Sequence, residues 1–466
     1  MGQKRDCARN AKSLGATFVG CVAAACLIVG AAMLPSGAFS GGHSAYAAPE
    51  VTQQAAESST TVAVDDGNFD TLQKALQDAK SGVHTVIALT GKYEAPQGFT
   101  HIDLPQGADI EISVPDDHTA MVSRADGNES TSGALLALTA NTSTKLTISG
   151  DLTYRNSTTL AYVGNSNQLI INGGTYSGNT NANGGVIYAD NGTVAINGGT
   201  FSGNKATNGS GGAIYLNGGS LSVKNATFFG NSTAISNETW SVGGGAIYAF
   251  DANVTLEDGA VFSGNVAHAK SRLGGGGALW VKGNLSIDGA TFTDNASDPD
   301  GGWHCGGGAI FLSGLAKNGS SKGQTKSTLI ISKATFTGNE AKYAHDKTGS
   351  QGDGGAIFVA WNSTLILQGR SGDIEFTDNK AARLGGAIYT EETTVTYMAK
   401  AFATSNTAGH FGGGLWLCPS GQGIASKGGN MIAVNNQANT ATDRYANGEL
   451  YAHSDRKEST RGAAGD

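Results

Sequence analysis

Cysteine, proline and charged residues are scarce in this chain of 466 residues, and each shortage excludes a class of protein. Five cysteines, with no Cys/His cluster at zinc-site spacing, exclude a disulfide scaffold and a zinc fold. Seven prolines exclude collagen despite 70 glycines, because glycine does not recur at every third position. The 39% hydrophobic content, with aliphatic and aromatic residues recurring in register, excludes a generic disordered chain.

The N-terminus has the features of an export signal. Four basic residues precede an apolar run over 16–34, and Ala45-Tyr46-Ala47 provides a small-residue cleavage site. An uncleaved membrane anchor is the alternative, because the run is nearly long enough to span a bilayer. We predict a signal peptide over residues 1–47, a secreted or cell-surface location, and no transmembrane segment after the signal.

The charge that remains after residue 47 bears on possible partners. The chain then keeps 26 of its 30 basic and 37 of its 38 acidic side chains, a net charge of −11. An acidic surface argues against nucleic acid as a partner. Only Cys305 and Cys418 remain, which is too few for a disulfide framework.

One phrase returns about eight times from Leu169 onward: Gly-Gly, a small residue, an aliphatic residue and an aromatic residue. Six copies begin at Gly211, Gly244, Gly276, Gly307, Gly354 and Gly385, and looser copies begin at Gly184 and Gly412. An alternating aliphatic pair follows, and the phrase closes with an aromatic residue three positions before Asn. These closing pairs are Tyr176/Asn179, Phe201/Asn204, Phe228/Asn231, Phe262/Asn265, Phe292/Asn295, Phe336/Asn339 and Phe376/Asn379.

Short alternating stretches separated by Gly and Asn predict strands joined by tight turns. A single unit has too little core to fold alone, whereas stacked units bury continuous ladders of aliphatic and aromatic side chains. Asn at the same corner of every coil can form an amide ladder. A β-propeller is the alternative, but its blades need four strands over more residues. The sequence therefore predicts an all-β parallel β-helix with coils of about 25–45 residues.

The segment before the repeats predicts a cap and the first coils. Apolar residues have helical spacing from Phe69 to Lys80, and a strand pattern follows at residues 85–89. A short N-terminal helix there would cover the open end of the solenoid. The predicted organisation is a flexible lead-in at 48–65, the cap and first coils at 66–168, the repeats at 169–453, and a disordered tail at 454–466.

Together the Gly-Gly-Ala-Ile and Phe-x-x-Asn tetrads resemble the repeat of the polymorphic outer-membrane protein family, over roughly residues 170–416. That family is similar to autotransporter passengers, so the resemblance implies a right-handed β-helix at the bacterial surface, often an adhesin. Residues 69–93 also look like the entry of pectate-lyase-like β-helix proteins. The chain departs from the family because no amphipathic barrel segments follow residue 416, so the resemblance supports the solenoid more than it supports anchoring.

Loops leaving one corner of the solenoid vary in length in an organised way. From each Asn to the next Gly-Gly the chain has 4, 6, 12, 10, 11, 14, 5 and 5 residues, so the middle four loops form a raised patch on one face. We predict that this patch binds a glycan or a host surface protein. Its candidate ligand-binding residues are Trp240, His268, Arg272, Asp298, Asp300, Trp303, His304, His345, Asp346 and Asp353.

Two other interpretations of these loops stay open. They can be solvated loops of ordinary polar composition. They can also form a catalytic site, in which Asp298 and Asp300 act as acid and base on a glycosidic bond. In a lyase variant, Asp298, Asp300 or Asp353 holds Ca²⁺ while Arg272 or Lys342 acts as base. Outside that variant the sequence predicts no metal and no cofactor. The favoured function is an adhesin-like surface protein, with a polysaccharide lyase or glycoside hydrolase, or a passive surface component, as alternatives.

Overall fold

A computed structural model of the chain describes residues 59–125, 133–234, 241–268, 270–299, 301–316, 319–320, 322, 324–343, 350–370, 372–391, 393–417, 422–425, 430–438 and 449–450. All of them belong to one unit, residues 57–466. The predicted signal peptide at 1–47 and the predicted tail at 454–466 lie outside the described residues.

In these residues the secondary structure is one helix, α1 (Phe69–Gln77), and 46 strands. The first half of the strands are β1 (Ser59–Val64), β2 (His84–Leu89), β3 (Gly91–Ala95), β4 (Ile102–Asp103), β5 (Asp109–Ser113), β6 (Ala120–Arg124), β7 (Leu136–Leu138), β8 (Lys145–Ser149), β9 (Leu152–Arg155), β10 (Ala161–Val163), β11 (Gln168–Ile171), β12 (Thr175–Ser177), β13 (Thr180–Asn183), β14 (Ile187–Asp190), β15 (Thr193–Ile196), β16 (Gly199–Ser202), β17 (Lys205–Ser210), β18 (Ile214–Asn217), β19 (Ser220–Val223), β20 (Ala226–Phe229), β21 (Ser232–Thr233), β22 (Ser241–Gly243) and β23 (Ile247–Glu257). The second half are β24 (Val261–Ser263), β25 (Val266–Ala267), β26 (Lys270–Gly275), β27 (Leu279–Thr293), β28 (Ala296–Ser297), β29 (Gly301–Gly306), β30 (Ile310–Leu312), β31 (Ser327–Thr337), β32 (Glu340–Ala341), β33 (Ser350–Asp353), β34 (Ile357–Val359), β35 (Ser363–Leu367), β36 (Ile374–Thr377), β37 (Lys380–Ala381), β38 (Ile388–Thr390), β39 (Thr394–Tyr397), β40 (Lys400–Thr404), β41 (Thr407–Ala408), β42 (Leu415–Leu417), β43 (Gln422–Ala425), β44 (Asn430–Val434), β45 (Gln437–Ala438) and β46 (Glu449–Leu450).

Each coil contributes strands to three successive faces, and every described strand except β46 pairs in parallel with a strand of a neighbouring coil. One such run is β11, β15 and β19, in which Leu169, Val194 and Leu221 occupy the same register position. The long strands β23, β27 and β31 bend around corners and serve two or three faces each. The structure therefore confirms the predicted right-handed parallel β-helix. An antiparallel pair, β44 with β46, lies near the C-terminal end.

The interior is filled by ladders of identical side chains. The closing aromatics stack from Tyr176 to Phe376 with ring centroids 4.7–5.1 Å apart, and all are fully buried. The Asn residues three positions later form the predicted amide ladder, in which each Nδ2 donates to the Oδ1 of the next Asn at 2.8–3.0 Å. The ladder extends past the sequence repeats to Asn436. Buried amides are tolerated here because donors and acceptors are both paired.

In the Gly-Gly pair, the first glycine lies against the backbone of its own turn and the second lies against the backbone of the next coil. A Cβ at Gly277 would lie 2.2 Å from the carbonyl oxygen of Gly308, and one at Gly276 would lie 1.9 Å from that of Leu279. Gly276 also has a φ of +64°, a conformation that side chains disfavour. These positions therefore exclude any side chain.

Helix α1 closes the N-terminal end of the solenoid. Asn68 caps it by accepting a hydrogen bond from the backbone N–H of Asp70 at 2.9 Å. Its buried Phe69, Leu72 and Leu76 line an apolar cavity together with interior side chains of the first coils. The helix ends at Gln77, three residues before the predicted Lys80.

The predicted flexible lead-in at 48–65 is instead a strand over its last part. Strand β1 pairs in parallel with β2 along six residues and buries Val64. This pairing covers a strand edge of β2 that would otherwise be open. The apolar pattern of the segment was too short to predict the strand.

Candidate functional site

The described parts of the four long loops extend the corner of the solenoid. We call the segments 232–243, 266–275, 296–306 and 340–353 the loop side. Each returns as a strand, and β22, β26, β29 and β33 pair with one another in parallel. Leu273, for example, is in register with His304, and His304 with Ser350. The described strands of the loop side therefore form one end of a 13-stranded sheet, which also contains the corner strands β21, β25, β28 and β32.

Beneath this sheet runs a second aromatic ladder, on the outside of the β-helix. The aromatic residue of the Gly-Gly phrase points outward, because the aliphatic residue before it points into the core. We call these residues the exterior aromatic row: Tyr162, Tyr188, Tyr215, Tyr248, Trp280, Phe311, Phe358, Tyr389 and Trp416. From Tyr188 to Phe358 the ring centroids lie 4.7–6.1 Å apart.

The loop side covers the middle of this row. Leu273 of β26 packs in the same buried cluster as Trp280 and Phe311, and its carbonyl oxygen accepts a hydrogen bond from Trp280 Nε1 at 3.1 Å. Both aromatic side chains are fully buried. This packing removes the apolar surfaces of Trp280 and Phe311 from solvent.

A charge ladder lies where the loop side leaves the solenoid corner. Three successive coils place His268, Asp298 and Lys342 after β25, β28 and β32. Asp298 Oδ2 lies 3.9 Å from His268 Nδ1 and 3.5 Å from Lys342 Nζ. About two fifths of the His268 and Lys342 side chains is exposed, against 19% for Asp298. These three side chains follow equivalent strands of successive coils at the surface.

His304 lies deeper, in a cluster of charged groups. Its ring meets the Trp361 ring edge-on at a centroid distance of 4.5 Å, and its Nδ1 is 3.5 Å from Glu391 Oε2. Burial, and then the nearby Arg383 charge, lower the pKa of His304 to about 4. The imidazole is therefore neutral at pH 7.

Asp353 is not part of an exposed surface, in contrast to the predicted raised patch. Its side chain is fully buried and ion-paired with Arg383, through an Nε–Oδ1 contact of 2.9 Å and a second contact between Nη2 and Oδ2. The backbone N–H of Leu384 donates to the same carboxylate at 3.1 Å. Asp353 thus joins β33 to the next coil.

The structure describes only some of the candidate ligand-binding residues predicted from the sequence. Trp240, Asp300, His345 and Asp346 lie outside the described residues, as do the side chains of Arg272 and Trp303. Of the predicted set, the described side chains are therefore His268 and Asp298 in the charge ladder, and His304 and Asp353 in the deeper cluster. Sequence reasoning missed Trp361, Arg383 and Glu391. All three lie outside the four loops. Trp361 and Glu391 follow aromatic residues of the exterior aromatic row, and Arg383 follows an Asn of the ladder. These positions are the sequence signals that could have indicated them.

This arrangement is suited to binding by charge and hydrogen bonding. The carboxylates of Asp298 and Asp353 are each held by cations of this chain and stand in separate clusters. Within the described residues, no group of three or more His, Cys, Asp or Glu side chains could hold a metal ion. Among the described side chains of the loop side, His268, Lys342 and Tyr343 are each about two fifths exposed.

Comparison with known proteins identifies the repeat. The Chlamydia polymorphic membrane protein (Chlamydia_PMP) repeat matches residues 198–217, 333–360 and 373–391, and each match covers parts of the Gly-Gly and Phe-x-x-Asn tetrads. The chain thus carries the repeat of a bacterial membrane-protein family on a parallel β-helix. Neither the search of curated proteins nor that of solved structures found a match. No helix among the described residues is long and apolar enough to cross a membrane.

Proposed function

We propose that this chain is an exported, adhesin-like surface protein that binds a glycan or a host surface protein through its loop side. The observation that carries the proposal is that four consecutive coils lengthen at one corner, where the charge ladder stands beside the paired strands of the loop side. Repeat proteins commonly bind through per-repeat insertions on one face.

The predicted signal peptide and the matched repeat support the same function. The predicted signal peptide directs the chain out of the cell, and the matched repeat comes from a family described as membrane proteins. A parallel β-helix holds its loops on a hydrogen-bonded frame, so little conformational entropy is lost when they meet a ligand. The charge ladder supplies polar groups that fix orientation.

The test is binding of residues 48–466 to an array of glycans and extracellular-matrix proteins. We expect at least one ligand to be retained, and the double variant His268→Ala/Lys342→Ala to weaken that binding about tenfold. Lys333→Ala is the matched control, because Lys333 is 52% exposed and paired with Asp258 outside the loop side. Equal binding by both variants would contradict the proposal.

Turnover would also contradict it. The same protein is incubated with polysaccharides, with and without Ca²⁺, while new reducing ends and unsaturated-uronate absorbance are followed. Product formation that is lost on Asp298→Asn would replace the adhesin-like function with a carbohydrate-active enzyme.

A further inference from the structure

The exterior aromatic row continues beyond the loop side, toward the N-terminal end. Tyr188 stacks on Tyr215 at a centroid distance of 4.9 Å, and Tyr162 stacks on Tyr188 at 5.9 Å. Both Tyr162 and Tyr188 are half-buried, whereas Tyr248 and Trp280 are buried beneath the loop side. The loop that leads to Tyr188 has only four residues. The row therefore emerges at the surface here.

Tyr162 is the last aromatic residue of the row. The position in register with it on the preceding coil is Ala137, and the position before that is Asp103. A methyl group cannot continue a stack of rings. One face of the Tyr162 ring is thus directed along the row toward a small side chain.

Polar groups flank these tyrosines on the same face. Asp190 lies two residues after Tyr188, and its carboxylate accepts hydrogen bonds from Asn217 Nδ2 at 3.0 Å and Asn191 Nδ2 at 3.1 Å. Burial above all, with the neighbouring Tyr215, Asp190 and Tyr162, raises the pKa of Tyr188 to about 12. Its hydroxyl therefore stays protonated and can donate a hydrogen bond at any physiological pH.

We infer that this open end of the row, formed by Tyr162, Tyr188, Asp190 and Asn217, is a binding strip for a neutral polysaccharide. Tyrosine offers an apolar ring and a hydroxyl, which suit the C–H faces and hydroxyl groups of a sugar. Amide and carboxylate groups beside an aromatic surface fix the orientation of such a ligand.

The spacing of the coils and the negative charge of Asp190 determine which kind of polysaccharide fits the strip. Successive coils repeat the side chains at about 4.8 Å, comparable to the length of one sugar residue in an extended chain, so neighbouring residues of a polysaccharide can meet equivalent groups. The Asp190 carboxylate would repel a uronate, which favours a neutral chain over pectate. This strip is distinct from the loop side.

The test is affinity electrophoresis of residues 48–466 in native gels containing hydroxyethyl cellulose, glucomannan, laminarin or polygalacturonate. We expect at least one neutral polysaccharide to retard the protein, and Tyr162→Ala/Tyr188→Ala to raise its dissociation constant at least tenfold. Tyr162→Phe/Tyr188→Phe keeps the stack and should lose part of the affinity, so the test holds even if the alanine variant misfolds. Phe229→Ala is the control, because Phe229 is an exposed aromatic (57%) on another face.

With the native protein and the tyrosine variants, three results would overturn the inference: no retardation by any of the three neutral polysaccharides, retardation by polygalacturonate alone, or retardation unchanged in both tyrosine double variants. The loop-side variant His268→Ala/Lys342→Ala separates this site from the proposed function. It should be retarded like the native protein. Loss of retardation in that variant would assign the polysaccharide to the loop side and remove the strip.

Discussion

At the scale of single residues, the Asn ladder is held by complete hydrogen bonding in the core. Asn295 Nδ2 donates to Asn339 Oδ1 at 2.9 Å and to the Phe262 carbonyl at 3.0 Å, while its Oδ1 accepts from the backbone N–H and Nδ2 of Asn265. All these Asn side chains are fully buried. One truncation therefore leaves several buried groups without partners.

We expect Asn295→Ala to lower the free energy of unfolding by about 2–5 kcal/mol, because buried donors and an acceptor lose their partners. Asn284→Ala is the matched control, since Asn284 donates to Asn253 at 2.9 Å in an exposed ladder. That variant should change stability by less than about 0.5 kcal/mol. Urea unfolding of the three proteins measures both, and similar midpoints for the two variants would contradict this account of the ladder.

Tyr397 is the reverse case, a buried hydroxyl with no hydrogen-bond partner among the described residues. Tyr397→Phe removes an unsatisfied polar group and should stabilise the protein by about 1 kcal/mol. Tyr176→Phe should destabilise it by a similar amount, because the Tyr176 hydroxyl donates to the Gly173 carbonyl at 3.0 Å. Thermal melting compares the two variants with the native protein. A loss of stability in Tyr397→Phe would show that the Tyr397 hydroxyl is not an unsatisfied buried group.

His304 should make stability depend on pH. The buried ring has a pKa of about 4, against 6.5 for an ordinary histidine, so the unfolded chain binds more protons between these values. Its contribution is fully present above pH 6.5 and falls by up to about 3 kcal/mol as the pH drops toward 4. His304→Gln should therefore lose less stability between pH 7 and pH 4.5 than the native protein. Equal losses in urea titrations at the two pH values would rule out this role.

At the scale of elements, the Gly-Gly turn sets how closely two coils approach. Gly277→Ala places a methyl group 2.2 Å from the Gly308 carbonyl oxygen and 2.5 Å from the Ala296 nitrogen. Both contacts are backbone, so the coils must separate, and we expect a loss of about 3 kcal/mol or more. Gly203→Ala meets nothing within 4 Å and bears only the strain of a positive φ, roughly 1–2 kcal/mol. If both variants unfold at the same urea concentration, crowding is not the reason for the motif.

The elements also show what the sequence could and could not predict. The two interior ladders could be predicted from spacing alone, because each closing aromatic residue lies three residues before its Asn. In the structure the aromatic rings stack on one another and the Asn side chains form hydrogen bonds with one another. The strands of the loop side did not follow, since their apolar content is a few residues such as Val242 and Leu273 in loops of unequal length. Their strand form depends on the exterior aromatic row beneath them, which is a tertiary interaction.

The same limit applies to the candidate site. Asp298 was predicted at the surface corner, and it lies there with Lys342. Asp353 is predicted in the same patch because it belongs to the longest of the four loops, yet the structure buries it against Arg383. That partner is 30 residues away and on a different coil, so periodicity gave no sign of the ion pair.

At the scale of the whole molecule, one repeat supplies two aromatic ladders with different roles. The interior ladder stabilises the solenoid, and the exterior row is covered by the loop side in the middle coils and open at Tyr162 and Tyr188. The same outward position is thus buried in the middle coils and partly accessible at the ends of the row. The residues of the matched repeat belong to the coils of the β-helix, and the loops of unequal length form the surface that is specific to this chain.

The central claim is that the loop side is the ligand-binding surface, and the most direct measurement is the affinity of a protein with shortened loops. Residues 232–243 and 340–353 are each replaced by the six residues 205–210, which make the same turn in a shorter coil. Binding to the ligand retained on the array is measured for this protein and for native residues 48–466, with circular dichroism as the check on the β-helix. We predict at least a tenfold loss of affinity with the β-helix intact. Unchanged affinity in a folded, shortened protein would contradict the claim.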